Sequence, residues 1–235
     1  MRGYLIACLI AALASSVFAA STSEVHVIGE MRRMFMAHDI GPNVDVRNIV
    51  QKPHMYALGP LAGLKGEITV LDSKVFVSVA KAGQATVTLE PAAKSVFLVY
   101  ASVPDWRSIA LPTNVISETD LASFLNRSLP ANSRSAFLVR ATAFRARYHI
   151  KNFQSKAEEL THSAHDKAKV FFDVTNALVQ LVGFFSNRDE DGGLFVHPGE
   201  TVHIHLVSDD HKSMGHLESV TLFPGAKLFL PEYGG

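Results

Sequence analysis

Cysteine is almost absent from this chain, which has 235 residues and a single cysteine, Cys8. One cysteine forms no internal disulfide and no thiolate cluster, so any bound metal must be held by His, Asp or Glu. An excess of either charge is also missing, because 22 basic residues balance 22 acidic ones. Nucleic-acid binding needs a concentrated basic face, so the composition argues against a nucleic-acid partner.

Long apolar runs are missing too, except at the N-terminus, where segment 1–19 is typical of a secretory signal peptide. Arg2 provides the positive start, residues 4–13 are the apolar region, and residues 17–19 give the small-residue cleavage pattern. The apolar run is too short to span a membrane. We therefore expect cleavage after this segment and a periplasmic or secreted mature protein without a membrane anchor.

The chain does contain many histidines, eleven in all, and those in its C-terminal part predict a metal site. His203 and His205 alternate with apolar residues, so on a strand both imidazoles would point to one face. The polar segment 208–215 suits a chain reversal, after which His216 opens a second strand. Three imidazoles on one face of such a hairpin predict a catalytic zinc site with a fourth position for water or substrate. A lone strand histidine is usually only hydrogen-bonded, and His211, in the turn, is predicted to be solvated.

The same stretch carries a family resemblance. HIHLVSDDHKSMGHLES, residues 203–219, resembles the signature H-x-H-F-x-(ST)-D-D-x-x-x-G-G-H of the α-acetolactate decarboxylase family. Both histidine spacings, the Asp-Asp pair and the Gly before the last His agree. The resemblance implies that His203, His205 and His216 are the ligands of a zinc ion, although three imidazoles could hold other divalent metals.

A second segment, 54–79, resembles the family's G-L-G-T-F-N-x-L-D-G-E-M stretch. The resemblance gives Glu67 a catalytic role as proton donor or relay, whereas without it Glu67 would be interpreted as a solvated carboxylate at a strand edge. Two positions depart from the family. Pro60 replaces a threonine near the substrate and Lys65 replaces an aspartate, which leaves the substrate open.

The remaining site candidates also come from the resemblance. The family strand that ends in V-P-R-Q carries an arginine that contacts the carboxylate region of the substrate, and ungapped counting along strand 136–150 places Arg147 there, with Arg145 as the alternative. Arginine suits a carboxylate because its planar fork binds it in two places. Surface charge is the other interpretation. Phe185 replaces the arginine of the family's I-V-G-F-R-T, and Glu232 is the tail carboxylate that could return to the metal.

The predicted fold class is α+β, with mixed or antiparallel sheets and few helices. Ser117 and Asp120 form a capping pair that predicts a helix over residues 117–129. The resemblance implies two β-rich lobes and a homodimer. We place the N-terminal lobe at residues 20–135 and the C-terminal, metal-binding lobe at residues 136–235.

The favoured hypothesis is an exported, zinc-dependent decarboxylase that converts 2-acetolactate, a small 2-hydroxy-3-oxo acid, to acetoin and carbon dioxide. In this interpretation the metal holds the oxygens of the substrate, an arginine positions its carboxylate and a carboxylic acid delivers a proton. No organic cofactor is implied. Two alternatives remain: a related exported metal-dependent lyase or hydrolase acting on another hydroxy-keto or hydroxy acid, and a non-catalytic zinc-binding protein on the same fold.

Overall fold

A computed structural model describes residues 24–232, and segment 1–19, where the signal peptide is predicted, lies outside them. The strands are β1 (His26–Ile28), β2 (Val44–Asp45), β3 (Met55–Pro60), β4 (Glu67–Leu71), β5 (Lys74–Lys81), β6 (Gln84–Leu89), β7 (Lys94–Ser95), β8 (Leu98–Ser102), β9 (Trp106–Ala110), β10 (Arg134–Lys151), β11 (Lys169–Ser186), β12 (Val202–Ser208), β13 (Met214–Leu222) and β14 (Lys227–Pro231). The α-helices are α1 (Arg33–Met36), α2 (Glu118–Ser128) and α3 (His162–Lys167), and short 3-10 turns lie at Val46–Asn48, Ala62–Leu64, Ala157–Glu159 and Asp189–Asp191.

Two six-stranded sheets form most of the molecule. The first has the order β1-β8-β3-β4-β5-β6, and the second has the order β11-β12-β13-β10-β14-β9. Strands β2 and β7 form a separate small pair. All pairings between the named strands within residues 24–232 are antiparallel, which agrees with the predicted class of mixed or antiparallel sheets with few helices.

The second sheet closes on itself. Strand β10 pairs with β11 along one edge and with β13 along the other, while β12 joins β11 to β13. Four strands therefore form a ring. The last four residues of β10, Tyr148–Lys151, are buried and form its covered end, which lies beside β13. This closure brings together side chains that are far apart in the sequence.

The two sheets pack on a common core. One cluster of buried side chains takes Leu58 and Phe97 from the first sheet region and Leu138 and Phe184 from the second. The strands of the first sheet end at Ser102, and the second sheet already begins with β9. The lobe division at 135/136 stays a prediction.

The local predictions differ in outcome. Helix α2 is confirmed, with Ser117 as N-cap and a reciprocal capping box with Asp120. The sequence Thr175-Asn176 between two apolar runs is typical of a hairpin turn, but β11 runs through this point without a reversal. Asn176 there has a φ of 49°, a left-handed conformation that asparagine tolerates better than most residues, and the β10–β11 ladder skips this residue and Phe144. Within the described part of the chain, no helix has the length and apolar character needed to cross a membrane.

Candidate active site

Three histidines converge at the point where β12 meets β13. His205 lies directly opposite His216 in the β12–β13 ladder, and His203 shares the face of His205 two residues away. One ring nitrogen from each of the three residues lies within 4.8 Å of the others. All seven residues of β12 are buried, so the imidazoles of His203 and His205 lie inside the molecule, whereas His216 on β13 is half-buried.

Gly215 allows β10 to approach this cluster closely. A Cβ atom at position 215 would lie 2.4 Å from the carbonyl oxygen of His149 and 2.7 Å from the Tyr148 ring. Glycine is therefore needed here because the backbone of β10 takes the space of a side chain. The close approach sets His149 opposite His216 in the ladder, so His149, His216 and His205 form a row across three strands.

The first sheet contributes two side chains of β4 to the same cluster. The Thr69 hydroxyl lies 2.8 Å from His205 Nδ1, so it fixes the ring and leaves Nε2 on the side of Glu67. Glu67 is 3% exposed, and its Oε2 lies 3.9 Å from His205 Nε2. The structure thus brings the predicted carboxylate beside the predicted histidines from a different sheet.

Burial controls the protonation of Glu67. Removal from water raises the pKa of the Glu67 carboxyl, and the positive charge and backbone N–H of Lys151 oppose that rise. The Lys151 N–H donates to Glu67 Oε1 at 3.2 Å. A carboxyl with a raised pKa holds its proton at a pH at which a solvated carboxylate has lost it, as a proton donor requires.

His149 is a site residue that the sequence analysis missed. Its Nδ1 lies 2.7 Å from Glu218 Oε1, and its Nε2 lies 3.8 Å from Glu67 Oε1. Burial lowers the pKa of His149 to about 4, against the effect of its hydrogen bond to Glu218. The sequence did contain a signal for this pair. Alternation along the strand places His149 on the same face as Arg147, and Glu218 lies two residues after His216.

The cluster fits a metal ion by the chemistry of its donors. His203 Nδ1, His205 Nε2 and His149 Nε2 are buried and without a hydrogen-bond partner, which is costly unless another group binds them. Burial lowers the pKa of His203 to about 3 and those of His205 and His216 well below the ordinary value. Neutral imidazoles with free lone pairs are the form that binds a divalent metal.

The cavity beside the histidines has an apolar wall and a polar side that carries two lysines. Its apolar wall is lined by Met31, Met34, Pro60, Leu64 and Phe97. Its polar side is lined by Glu67, His149, Lys151, His165, Lys169, His197, His203 and His216. Pro60, one of the departures from the family, therefore faces the space where a ligand would lie. Lys65, the other departure, is exposed.

The structure does not bring Arg147 or Arg145 to this cavity. Both lie in the exposed middle of β10, where Arg147 Nη2 is 2.8 Å and Arg145 Nη2 is 3.3 Å from the carboxylate of Asp173 on β11. Ungapped counting along the family strand selects Arg147, which lies one residue before the buried end of β10 at Tyr148. Lys151 is the basic residue of β10 that lines the cavity.

Three other predicted positions lie away from the cluster. Glu232 is exposed, and its backbone N–H donates to the Asp105 carbonyl, so the structure does not place it at the histidines. His211 is exposed, as predicted, and stacks on Phe76 with ring centroids 4.9 Å apart. Phe185 is fully buried in the second core cluster.

Comparisons with known proteins give one consistent result. A family model described as alpha-acetolactate decarboxylase matches residues 40–229. No curated protein sequence matches the chain. Solved structures that resemble it include alpha-acetolactate decarboxylase from Bacillus subtilis strain 168 (17% identity, 89% of this chain and 86% of that chain, TM-score 0.71) and acetolactate decarboxylase from Bacillus subtilis subspecies spizizenii (16% identity, 89% and 86%, TM-score 0.74). A Staphylococcus aureus protein of unknown function, similar to alpha-acetolactate decarboxylase, also resembles it (15% identity, 89% and 85%, TM-score 0.69).

Proposed function

Since this chain belongs to the alpha-acetolactate decarboxylase family and is a decarboxylase of that type, we propose that it converts 2-acetolactate to acetoin and carbon dioxide with the help of a divalent metal. One observation carries the proposal. Three imidazoles that are suited to a metal, those of His203, His205 and His216, lie beside a buried carboxyl, Glu67, and Glu67, His203 and His216 line one cavity.

His203, His205 and His216 would hold the metal. When bound there, the metal supplies Lewis acidity toward the hydroxyl and carbonyl oxygens of the substrate. The protein contributes the rest. The apolar wall of the cavity keeps water away, and Thr69 holds the ring of His205 in place.

Glu67 is assigned the proton transfer. Loss of carbon dioxide breaks a carbon–carbon bond and leaves its electron pair on the remaining substrate, which must gain one proton at carbon to give acetoin. The Glu67 carboxyl lies 3.9 Å from His205 and its raised pKa keeps that proton available. After the reaction Glu67 regains a proton from solvent, so atoms and charge balance.

The test is the formation of acetoin by purified protein from racemic acetolactate. We expect turnover that is lost after treatment with a chelator and restored when a divalent metal is returned. Protein that is folded and holds one metal per chain, yet makes no acetoin, would instead support the non-catalytic metal-binding alternative.

Zinc is our proposal for the metal because three neutral imidazoles with an open fourth position are a common catalytic zinc site. Reconstitution of metal-free protein with Zn²⁺, Mn²⁺ and Co²⁺ in parallel tests it. The greatest metal affinity and activity with zinc are expected, and greater values with another ion would reassign the site.

A different 2-hydroxy-3-oxo acid is a second candidate substrate, and Pro60 favours it. This residue lines the cavity and offers no side-chain hydrogen bond at a position where a family threonine would offer one. Rates with acetolactate and with homologues that carry longer alkyl groups decide between them. A higher kcat/KM for a homologue would support this second candidate.

Export and dimer formation remain proposals that rest on the sequence and the family. The pattern of residues 1–19 supports secretion. N-terminal sequencing of the protein from its native host should find a chain that begins near residue 20, and light scattering should find twice the mass of one chain. An intact Met1 in the cytoplasm or a monomeric mass would contradict the respective proposal.

A further inference from the structure

Two lysines lie on the polar side of the cavity and face each other. Lys151 at the end of β10 is paired directly with Lys169 at the start of β11. Both line the cavity that holds Glu67 and His216. Like charges directly opposite each other in a ladder destabilise a sheet, so an anion that binds between the two lysines would relieve their repulsion.

The contacts of Lys151 leave an N–H donor of its side chain free for a ligand. Lys151 is 5% exposed, and its Nζ contacts His165, at 3.2 Å from Nδ1 and 3.4 Å from the carbonyl oxygen. An ammonium group has three N–H donors, of which His165 takes at most two. Within the described residues, Nζ forms no ion pair with a carboxylate. Burial lowers the pKa of the Lys151 ammonium, and the negative charge of Glu67 opposes that fall, so an anion bound at Nζ would favour the charged form in the same way.

Lys169 is held more loosely. Its Nζ lies 3.3 Å from Glu218 Oε1 and 3.6 Å from Asp166 Oδ1, and both separations are longer than a good charge-assisted hydrogen bond. Its side chain is 21% exposed, so Lys169 lies on the solvent side of Lys151. The pair therefore presents one inner and one outer positive charge to anything that enters.

We propose that Lys151, assisted by Lys169, binds the carboxylate of the substrate, the task that the family resemblance suggested for an arginine. This inference rests on the proposed function for the identity of the ligand. The Lys151 backbone N–H holds Glu67, so one residue connects the cation to the proton donor. In a 2-hydroxy acid the carboxylate is bonded to the carbon that bears the hydroxyl, so a carboxylate at the lysines leaves the hydroxyl near the histidines.

A lysine pair differs in chemistry from an arginine. A guanidinium binds a carboxylate in two places with a fixed planar geometry, whereas an ammonium acts as a compact point charge. The site should therefore select an anion at this position with weak demands on its orientation. The competing explanation is that Lys151 serves only as a counter-charge for Glu67, and this explanation predicts no dependence on the charge of the ligand.

The test compares an acid with its neutral counterpart. The acid is 2,3-dihydroxy-2-methylbutanoate, the reduced form of acetolactate, and the neutral probe is 2-methylbutane-2,3-diol, in which a methyl group replaces the carboxylate. Calorimetric titration of the metal-loaded protein should show tighter binding of the acid. Lys151→Met should weaken acid binding about ten- to hundredfold, in line with a hydrogen bond to a charged group, and leave diol binding unchanged.

Three further variants complete the design. Lys151→Arg should keep most of the preference for the acid, and Lys169→Gln should weaken acid binding less than Lys151→Met does. Lys74→Met, at an exposed position of β5, is the matched control and should change neither affinity. Circular dichroism and metal content establish that each variant is folded and loaded. If Lys151→Met fails to fold, the Lys169→Gln and Lys151→Arg results still decide.

The proposal is overturned if the lysine variants weaken acid and diol equally, or leave acid binding unchanged. Failure of the proposed function is read separately, from acetoin formation by the unaltered protein. A chain that makes no acetoin but binds the acid in a lysine-dependent way would keep this inference and lose the assigned substrate. An unaltered protein that binds the acid no better than the diol overturns it.

Discussion

Arg147 and Lys151 lie on the same face of β10, yet they meet opposite surroundings. Arg147 has a side chain that is 46% exposed and an ion pair with Asp173. Lys151 is buried, contacts α3 through His165 and faces the cavity. The position along the strand, and not the type of basic residue, therefore decides which cation can contact a ligand, because only the buried end of β10 lines the cavity.

Histidines offer the strongest test of this contrast. His205→Ala should lower acetoin formation by about 10³-fold or more, because loss of a ligand removes Lewis acidity worth several kcal/mol. His211→Ala, at the exposed position against Phe76, should change the rate less than twofold. Metal content by mass spectrometry accompanies both rates. A fully loaded, fully active His205→Ala protein would break the contrast between buried and exposed histidines.

Carboxylates offer the next test. Glu67→Gln should lower kcat by about 10²–10⁴-fold, the usual contribution of a positioned acid, while the metal content stays unchanged. Asp173→Asn removes the exposed carboxylate that pairs with Arg147 and should leave kcat unaltered. Steady-state rates at saturating acetolactate measure both. Equal losses in the two variants would show that the burial of Glu67 does not set its role.

The two cations themselves give a smaller effect. Lys151→Met should raise KM about tenfold or more, whereas Arg147→Met breaks an exposed ion pair and should change KM less than twofold and the free energy of unfolding little. Steady-state kinetics and urea unfolding decide. A larger KM effect at Arg147 would return the carboxylate site to the position that counting along the strand predicts.

The pH dependence of stability gives the smallest effect and needs metal-free protein. Burial lowers the pKa of His149 to about 4 and that of His203 to about 3, whereas the unfolded chain takes up these protons near 6.5. Between those values the unfolded state binds more protons. The free energy of unfolding therefore falls as the pH drops below about 6.5, by about 1.4 kcal/mol per pH unit for each net proton.

Glu67 reduces that slope, because its raised pKa makes the folded state bind the extra proton above its ordinary pKa of 4.5. The exposed Asp173 acts elsewhere on the pH scale. A hydrogen bond from Arg147 lowers the Asp173 pKa from 3.8, so its contribution is lost only as the solution becomes more acidic than that. Urea midpoints between pH 5 and pH 7.5 measure the effect, and a constant midpoint would show that the histidines are not buried as described.

The sequence predicted those site residues whose geometry is local. His203 and His205 share a face because they are two apart on one strand, and His216 returns through a short turn. Glu67 required the family resemblance, because nothing in its own neighbourhood shows that β4 packs against β13. Local spacing and one motif thus suffice for the predicted ligands and the carboxyl.

Residues that depend on distant pairing were beyond that reasoning. His149 reaches the cluster because β10 pairs with β13, and Lys151 reaches it because the ring of strands closes and α3 covers the end of β10. Alternation along β10 gives Arg147, His149 and Lys151 the same face, so the pattern alone does not say where exposure ends. The pair Thr175-Asn176 is likewise typical of a turn in the sequence, and only the pairing with β10 shows that β11 continues through it.

The central claim is that His203, His205 and His216 hold one metal ion beside Glu67. Anomalous X-ray diffraction at the zinc edge, from crystals of protein loaded with one equivalent of Zn²⁺, tests it most directly. We expect one peak at about 2.0–2.1 Å from a nitrogen of each of the three imidazoles. A peak bound elsewhere on the chain, or none between these rings, would contradict the claim.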